Sequence, residues 1–186
     1  MNYNITKIRS ELGSNGVLRA AINMSNFLLV TDKMSDGNPI GVSPDMAQEL
    51  ARNRNLKLEL IPDASPGESA DDADKKKWDI CNIGAEPQRA EKISFSSAYA
   101  EIQATYLVKS NSTISNIEDV DMDGKTISVA DRTAYGLWLE RNIKNAKLLT
   151  IDGFENSVDN FINKNLDALA GLRPQLMETV KTINDS

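Results

Sequence analysis

The chain reads as an α/β protein of two lobes, and three observations lead there. Short apolar strand patterns alternate with amphipathic helical patterns of about ten residues, the signature of parallel βαβ units with helices on both faces. The alternation runs through one block, which is joined near residues 99–110 to a second where it starts again. The composition is that of a folded soluble protein, 40% hydrophobic and 26% charged over 186 residues, which suits one medium domain or two small ones. We place the first lobe at residues 1–104 and the second at 105–186, with the crossover strand at about 99–110. The default ligand position in such a molecule is a cleft between its lobes.

In the first block, Ile5, Ile8 and Leu12 recur at helical spacing and stop at a Gly-Ser-Asn-Gly breaker. VLRAAIN (residues 17–23) is a buried strand. A loop with Asn26 and Phe27 follows, then a turn of the form SDGNP at 35–39. Ser43 and Pro44 open a helix reaching Asn53, with Ser as its N-cap and Pro at its first position. LKLELI (56–61) alternates as a strand does. Residues 65–77 carry acidic and then basic side chains, the pattern of a loop and short exposed helix with a solvated face. A short strand at 79–83 runs into Gly84 and Ala85 and then the turn Glu86-Pro87, which opens a short helix bearing Arg89. FSSAY at 95–99 reads as a further strand-like piece.

The second block holds a strand at 105–109, a polar linker at 110–115, and a helical turn at 116–120. Strand 125–130, helix 133–143, strand 147–151, helix 154–163, strand 166–172 and helix 174–183 complete it. Trp78 and Trp138 adjoin apolar positions and are expected as core anchors.

Several function classes drop out on composition. Twenty-seven acids against 21 bases give a net charge of −6, the wrong sign for a nucleic-acid backbone binder. The chain has no histidine, which removes Ser-His-Asp and Cys-His catalysis and most zinc chemistry. Its one cysteine, Cys81, lies among apolar strand residues and reads as a packed core thiol. No phosphate-binding glycine loop is present, and the acidic strings lack calcium-loop spacing. Neither a cofactor nor a metal is implied, and no catalytic residue is assigned. No apolar run approaches the ~20 residues that cross a bilayer. The first residues lack the apolar core of a secretory leader, so the chain is expected either inside the cell or in the periplasm after leader removal.

The strongest site signal is Arg89, a planar cationic fork just past the end of a buried strand, where open α/β sheets hold ligands. Such a fork suits a carboxylate better than lysine does. On spacing alone it equally fits a surface turn cap.

The ordered set LRAAIN, GNPIGVSPDMAQELA, KWDI, EPQRA, ISFSSAY, TYLV, DMDGKTISV and LDALAG spans most of the chain from Gly16 onward. With it, the chain resembles the periplasmic (extracellular) solute-binding proteins of family 3, the amino-acid-binding type that serves ABC importers. That resemblance implies the type II periplasmic-binding-protein fold, with the family's C-terminal elements missing after Ser186 and self-association of the truncated chain as one consequence. It implies non-catalytic capture of a small anionic solute, amino-acid-like or a carboxylate, in the inter-lobe cleft, and an ABC transporter permease as partner. By the same resemblance Arg89 clamps a ligand carboxylate, and Gly84 and Ala85 turn backbone groups toward it. Asn26 and Phe27 cover the ligand, while Glu86 pairs with an amine or orients Arg89. Thr133 matches a Ser/Thr at a helix start that adds anion binding, Tyr135 lines the cleft, and Arg173 brings a second cation. The chain departs from the family pattern at Arg132, where glycine is common, and at Leu172, where an aspartate often meets a ligand ammonium. Two other readings follow from proteins of this fold: a cyclohexadienyl or arogenate dehydratase-like enzyme with Glu86 as its acid, and a sensor or orphan ligand-binding domain.

Overall fold

The computed structural model describes residues 11–13 and 15–184, and the chain divides into two compact units, Met1–Ser94 and Phe95–Ser186. The helical pattern expected from Ile5 and Ile8 lies outside the described residues.

The first unit is built on β1 (Val17–Asn23), the middle strand of a parallel three-stranded sheet with β4 (Lys57–Asp63) on one side and β5 (Ile80–Asn82) on the other. A central parallel strand is covered on both faces, so β1 is a nearly unbroken apolar run. Leu18, Ala20, Ala21 and Ile22 are at most 1% exposed. α1 (Val42–Asn53) supplies Ala47 and Ala51 against this run, and both are buried. β1 is pinned to the entry of β5 by a two-pronged ion pair: Arg19 Nη2 and Nε donate to the Asp79 carboxylate at 2.7 and 3.1 Å.

The connections are short. β2 (Asp32–Lys33) and β3 (Pro39–Ile40) form an antiparallel ribbon ahead of α1. The helix starts earlier than Ser43 because Gly41, not Ser43, is its N-cap. Gly41 has φ 140°, and a Cβ there would lie 2.5 Å from the Leu29 carbonyl oxygen, so only glycine fits. Ser43 is buried within the first turn and donates its N–H to that same carbonyl. α2 (Pro66–Asp71) is capped by Ser65, whose side chain accepts from Glu68 N–H, while Glu68 Oε2 accepts from Ala64 N–H. The charged segment after it is not purely a solvated face. Asp72 is 3% exposed and draws in Lys75 and Lys77 at 2.8 and 2.7 Å. α3 (Pro87–Ala90) closes the unit.

The second unit is a four-stranded sheet in the order β6 (Ala104–Leu107), β9 (Ala168–Leu172), β7 (Thr126–Ala130), β8 (Lys147–Ile151). β7 runs parallel to both neighbours, and β6 is antiparallel to β9. One face packs Ile127, Val129, Ala168 and Ala170 with Leu139 of α4 (Ala134–Asn142) and with Val120 of the 3₁₀ helix Ile117–Val120. The other buries Leu169 against Val158 and Phe161 of α5 (Phe154–Asn163) and Leu176 of α6 (Arg173–Asn184). Residues 95–99 form no strand; FSSAY is irregular and ends in a bend at Tyr99, which is 46% exposed. Trp138 is not a core anchor. Tyr135 and Leu139, one turn apart, take the inward stripe of α4 and leave Trp138 53% exposed. Trp78 donates its indole N–H to the Ser69 carbonyl at 2.9 Å.

Candidate functional site

In the first unit all three parallel strands end on one edge of the sheet, as the register Asn23–Asp63 and Ile22–Asn82 requires. The loop after β1 and the turn after β5 therefore share that edge. In the loop, Asn26 is a structural residue as well as a candidate: its Oδ1 accepts from Leu28 N–H and its carbonyl from Val30 N–H. Phe27, next to it, is 38% exposed, an aromatic face held open to solvent.

After β5 the chain leaves regular structure at Ile83, and the backbone of Gly84 and Ala85 is exposed. Glu86 then caps α3, its Oε2 accepting from Gln88 N–H at 2.9 Å. Arg89 turns back along the same short helix, and its Nη1 donates to the Gly84 carbonyl at 2.9 Å. Glu86 is 4% exposed and Arg89 5%. An arginine spending its charge on a surface turn would be wet, and this one is not. Gly84, Ala85, Glu86 and Arg89 thus form one cluster, with exposed strand-end backbone beside a buried guanidinium.

Two groups at this edge, one buried and one half-buried, carried no sequence signal. Asp63, at the end of β4, is 3% exposed and accepts from the Ser69 hydroxyl at 2.6 Å. Loss of water raises its pKa above the ordinary carboxylate value, and the Ser69 hydrogen bond offsets part of that rise. Asn82 donates from Nδ2 to the Ser43 carbonyl, tying β5 to the first turn of α1. Cys81, expected in the core, is half-buried, and loss of water pushes its thiol pKa up to about 12, which keeps it protonated near neutral pH.

The second unit brings its own candidates to the end of β7 and β9. Thr133 is the N-cap of α4: its hydroxyl donates to the Ala130 carbonyl at 2.9 Å and accepts from Gly136 N–H at 3.0 Å. The hydroxyl proton is thereby committed within the chain. Arg132, just before it, takes a left-handed backbone with φ 55°. Tyr135 packs on the core, and burial raises its phenol pKa. Arg173, the first residue of α6, is exposed; its backbone N–H donates to the Gln103 carbonyl and its Nη1 to Gln103 Oε1. A separate shallow groove of about 450 Å³ lies beside β6, lined by Tyr106, Val108, Ile114 and Ile117, and holds none of the candidates. Among the described residues no cluster of three or more acids, cysteines or histidines could hold a metal ion, and no helix is long and apolar enough to cross a membrane.

A parallel sheet in the first α/β unit and a mixed sheet in the second belong to the type II periplasmic-binding-protein fold. Residues 22–185 match the family described as bacterial extracellular solute-binding proteins, family 3, and the chain belongs to it. No curated protein matches it by sequence. Among solved structures, an ancestral amino acid-binding protein, described as a precursor of cyclohexadienyl dehydratase, is similar at TM-score 0.75 and 22% identity; 94% of this chain aligns with 78% of that one. A cysteine-binding protein from Campylobacter jejuni aligns at TM-score 0.72 and 24% identity, over 97% of this chain and 72% of its own. A putative ABC-transporter binding component from Wolinella succinogenes, complexed with lysine, aligns at TM-score 0.67 and 25% identity, over 85% and 69%.

Proposed function

We propose that this chain captures a small carboxylate-bearing, amino-acid-like solute, without changing it, for delivery to an ABC-type permease outside the cytoplasmic membrane. Family membership over residues 22–185 supports the class of activity. The observation that carries the ligand chemistry is Arg89: a guanidinium 5% exposed, anchored on the Gly84 carbonyl, at the edge where the first unit's strands end. A permanent charge withdrawn from water interacts with an incoming carboxylate far more strongly than a solvated one. Its planar fork fixes the orientation of the acid group, and the exposed backbone of Gly84 and Ala85 lies alongside. In this reading Asn26 and Phe27 cover the bound solute.

Titration calorimetry against a panel of L-amino acids and simple carboxylates tests this. The intact chain is expected to bind at least one panel member. Arg89→Ala should then weaken binding about ten- to a hundredfold, the loss of a charge-assisted pair. Arg89→Lys, which keeps charge but loses the fork, should recover only part of the affinity, and far-ultraviolet circular dichroism checks that both variants fold. Unchanged affinity in a folded Arg89→Ala protein rejects the assignment.

A further inference from the structure

We propose that the chain forms a two-fold dimer in which the open edge of β6 pairs antiparallel with β6 of a second copy, in the register that sets Glu101 of each copy opposite Lys109 of the other. This surface belongs to the second unit alone and does not depend on the solute reading.

β6 is an outer strand of its sheet, and among the described residues it is bonded to β9 on one side only. The Arg173 N–H donates to the Gln103 carbonyl, and the register sets those two residues opposite each other, so they form a hydrogen-bonded pair of the antiparallel ladder. Such pairs alternate along the strands. Thr105 and Leu107 therefore spend their main-chain groups on β9, while Ala104 and Tyr106 turn theirs to the open side. From Ile102 to Val108 the sequence IQATYLV holds no charge and no proline. Natural edge strands usually carry one or the other, which blocks pairing. The outer strands β4 and β8 do so: β4 holds Lys57, Glu59 and Pro62, and β8 opens on Lys147. Beside the open edge of β6 lies the 450 Å³ groove, with Tyr106, Val108 and Ile114 in its wall and Ile117 65% exposed at its rim.

The flanking charges select both the occupant and its register. Glu101 bounds the uncharged run at one end and Lys109 at the other. An antiparallel copy of the same strand reverses that order, so acid meets base at both ends. Residues that face outward must pair with residues that face outward, which limits the registers to steps of two. With Ala104 opposite Tyr106 of the second copy, Thr105 meets its own counterpart and Glu101 meets Lys109. The neighbouring registers lose both ion pairs: Tyr106 opposite Tyr106 sets Lys109 against Gln103, and Ala104 opposite Ala104 sets Glu101 against Leu107. Both charges are available. Glu101 is exposed, and the Lys109 ammonium meets neutral partners, the Phe161 ring at 5.4 Å and Asn165 Oδ1. In the selected register Ile102 and Ala104 of the second copy fall opposite Val108 and Tyr106, the two side chains that border the groove. The contact is self-complementary and closes at two copies.

Sedimentation equilibrium on the full chain tests this at about 100 μM, where a low-micromolar dimer is nearly complete. The dimer mass is expected. Ala104→Pro removes an outward N–H and leaves the ladder to β9 intact, so it should give the monomer. Glu101→Lys and Lys109→Glu each set like charges opposite one another at both ends, and each should weaken association at least about tenfold. Mixed in equal amounts, those two variants again set acid opposite base at both ends, and the mixture should recover the dimer. Far-ultraviolet circular dichroism checks that each variant folds. A parent chain that is monomeric at this concentration, a dimer that survives Ala104→Pro, or a mixture of charge variants that associates no better than either alone overturns the inference.

Discussion

Asp121 accepts backbone N–H groups from Lys144, Asn145 and Ala146, three in succession, and these bonds hold the turn that leads into β8. They favour its ionised form and lower its pKa, with Ala146 and Asn145 the largest contributors. Asp63 is displaced the other way, because burial disfavours its charge. The consequences for stability have opposite signs. A depressed folded-state pKa contributes stability that is present above the unfolded value near 3.8 and is lost as pH falls through the folded value. A raised one favours the fold below the unfolded value, and that advantage is lost as pH climbs through the folded value. Thermal unfolding from pH 3 to 7 separates them. The deficit of Asp121→Asn relative to the parent should be greatest near neutrality and shrink on acidification. Asp63→Asn should gain on the parent as pH rises from about 4. An Asp121→Asn deficit that is constant across the range would remove the ionised carboxylate from the account.

At the scale of elements, most strand and helix positions were legible because pattern and punctuation agreed. β1, β8 and α5 have the boundaries that their apolar runs and flanking breakers indicate. The departures share a cause: local pattern does not say what a segment packs against. FSSAY has strand-forming aromatics but no partner strand, so it stays irregular. Ser43 has capping chemistry, yet the close approach of the Leu29 carbonyl puts the helix start at Gly41. The candidate site followed the same rule. The order EPQR located Arg89, but its burial depends on how α3 folds back onto Gly84, and residues without motif, such as Asp63 and Gln103, were invisible. Thr133 illustrates a residue with an element-level role besides any ligand. Its hydroxyl caps α4, and Gly136 has no room for a Cβ, which would meet Thr133 Oγ1 and the Ala130 carbonyl at 2.8 Å. Thr133→Ala should therefore cost about 1 kcal/mol of stability with no ligand present. Denaturant unfolding of the unliganded protein measures it; no loss would mean that the cap contributes nothing.

For the molecule as a whole, the consequential feature is that each unit gathers a core of its own. Ala20, Ile22, Val30 and Ala47 cluster in the first, and Ile127, Val129, Ala168, Ala170 and Leu139 in the second. Units of this size bury a modest fraction of their surface, so neither has stability to spare. Ile127 is fully buried as the second residue of β7, paired with Leu148 and Ala168 on either side. Truncation there removes apolar contacts and leaves a cavity that flanking backbone cannot close, a loss of about 2–5 kcal/mol against a typical domain stability of about 5–15 kcal/mol. If the core of each unit is the unit of cooperativity, Ile127→Ala should raise amide exchange across β7, β8 and β9 while β1 and β4 keep their protection. Hydrogen exchange read by mass spectrometry resolves these strands. Equal loss of protection in β1 would show the two cores unfolding as one, and then a mutation in either unit would alter ligand affinity through global stability rather than through the residues that touch the solute.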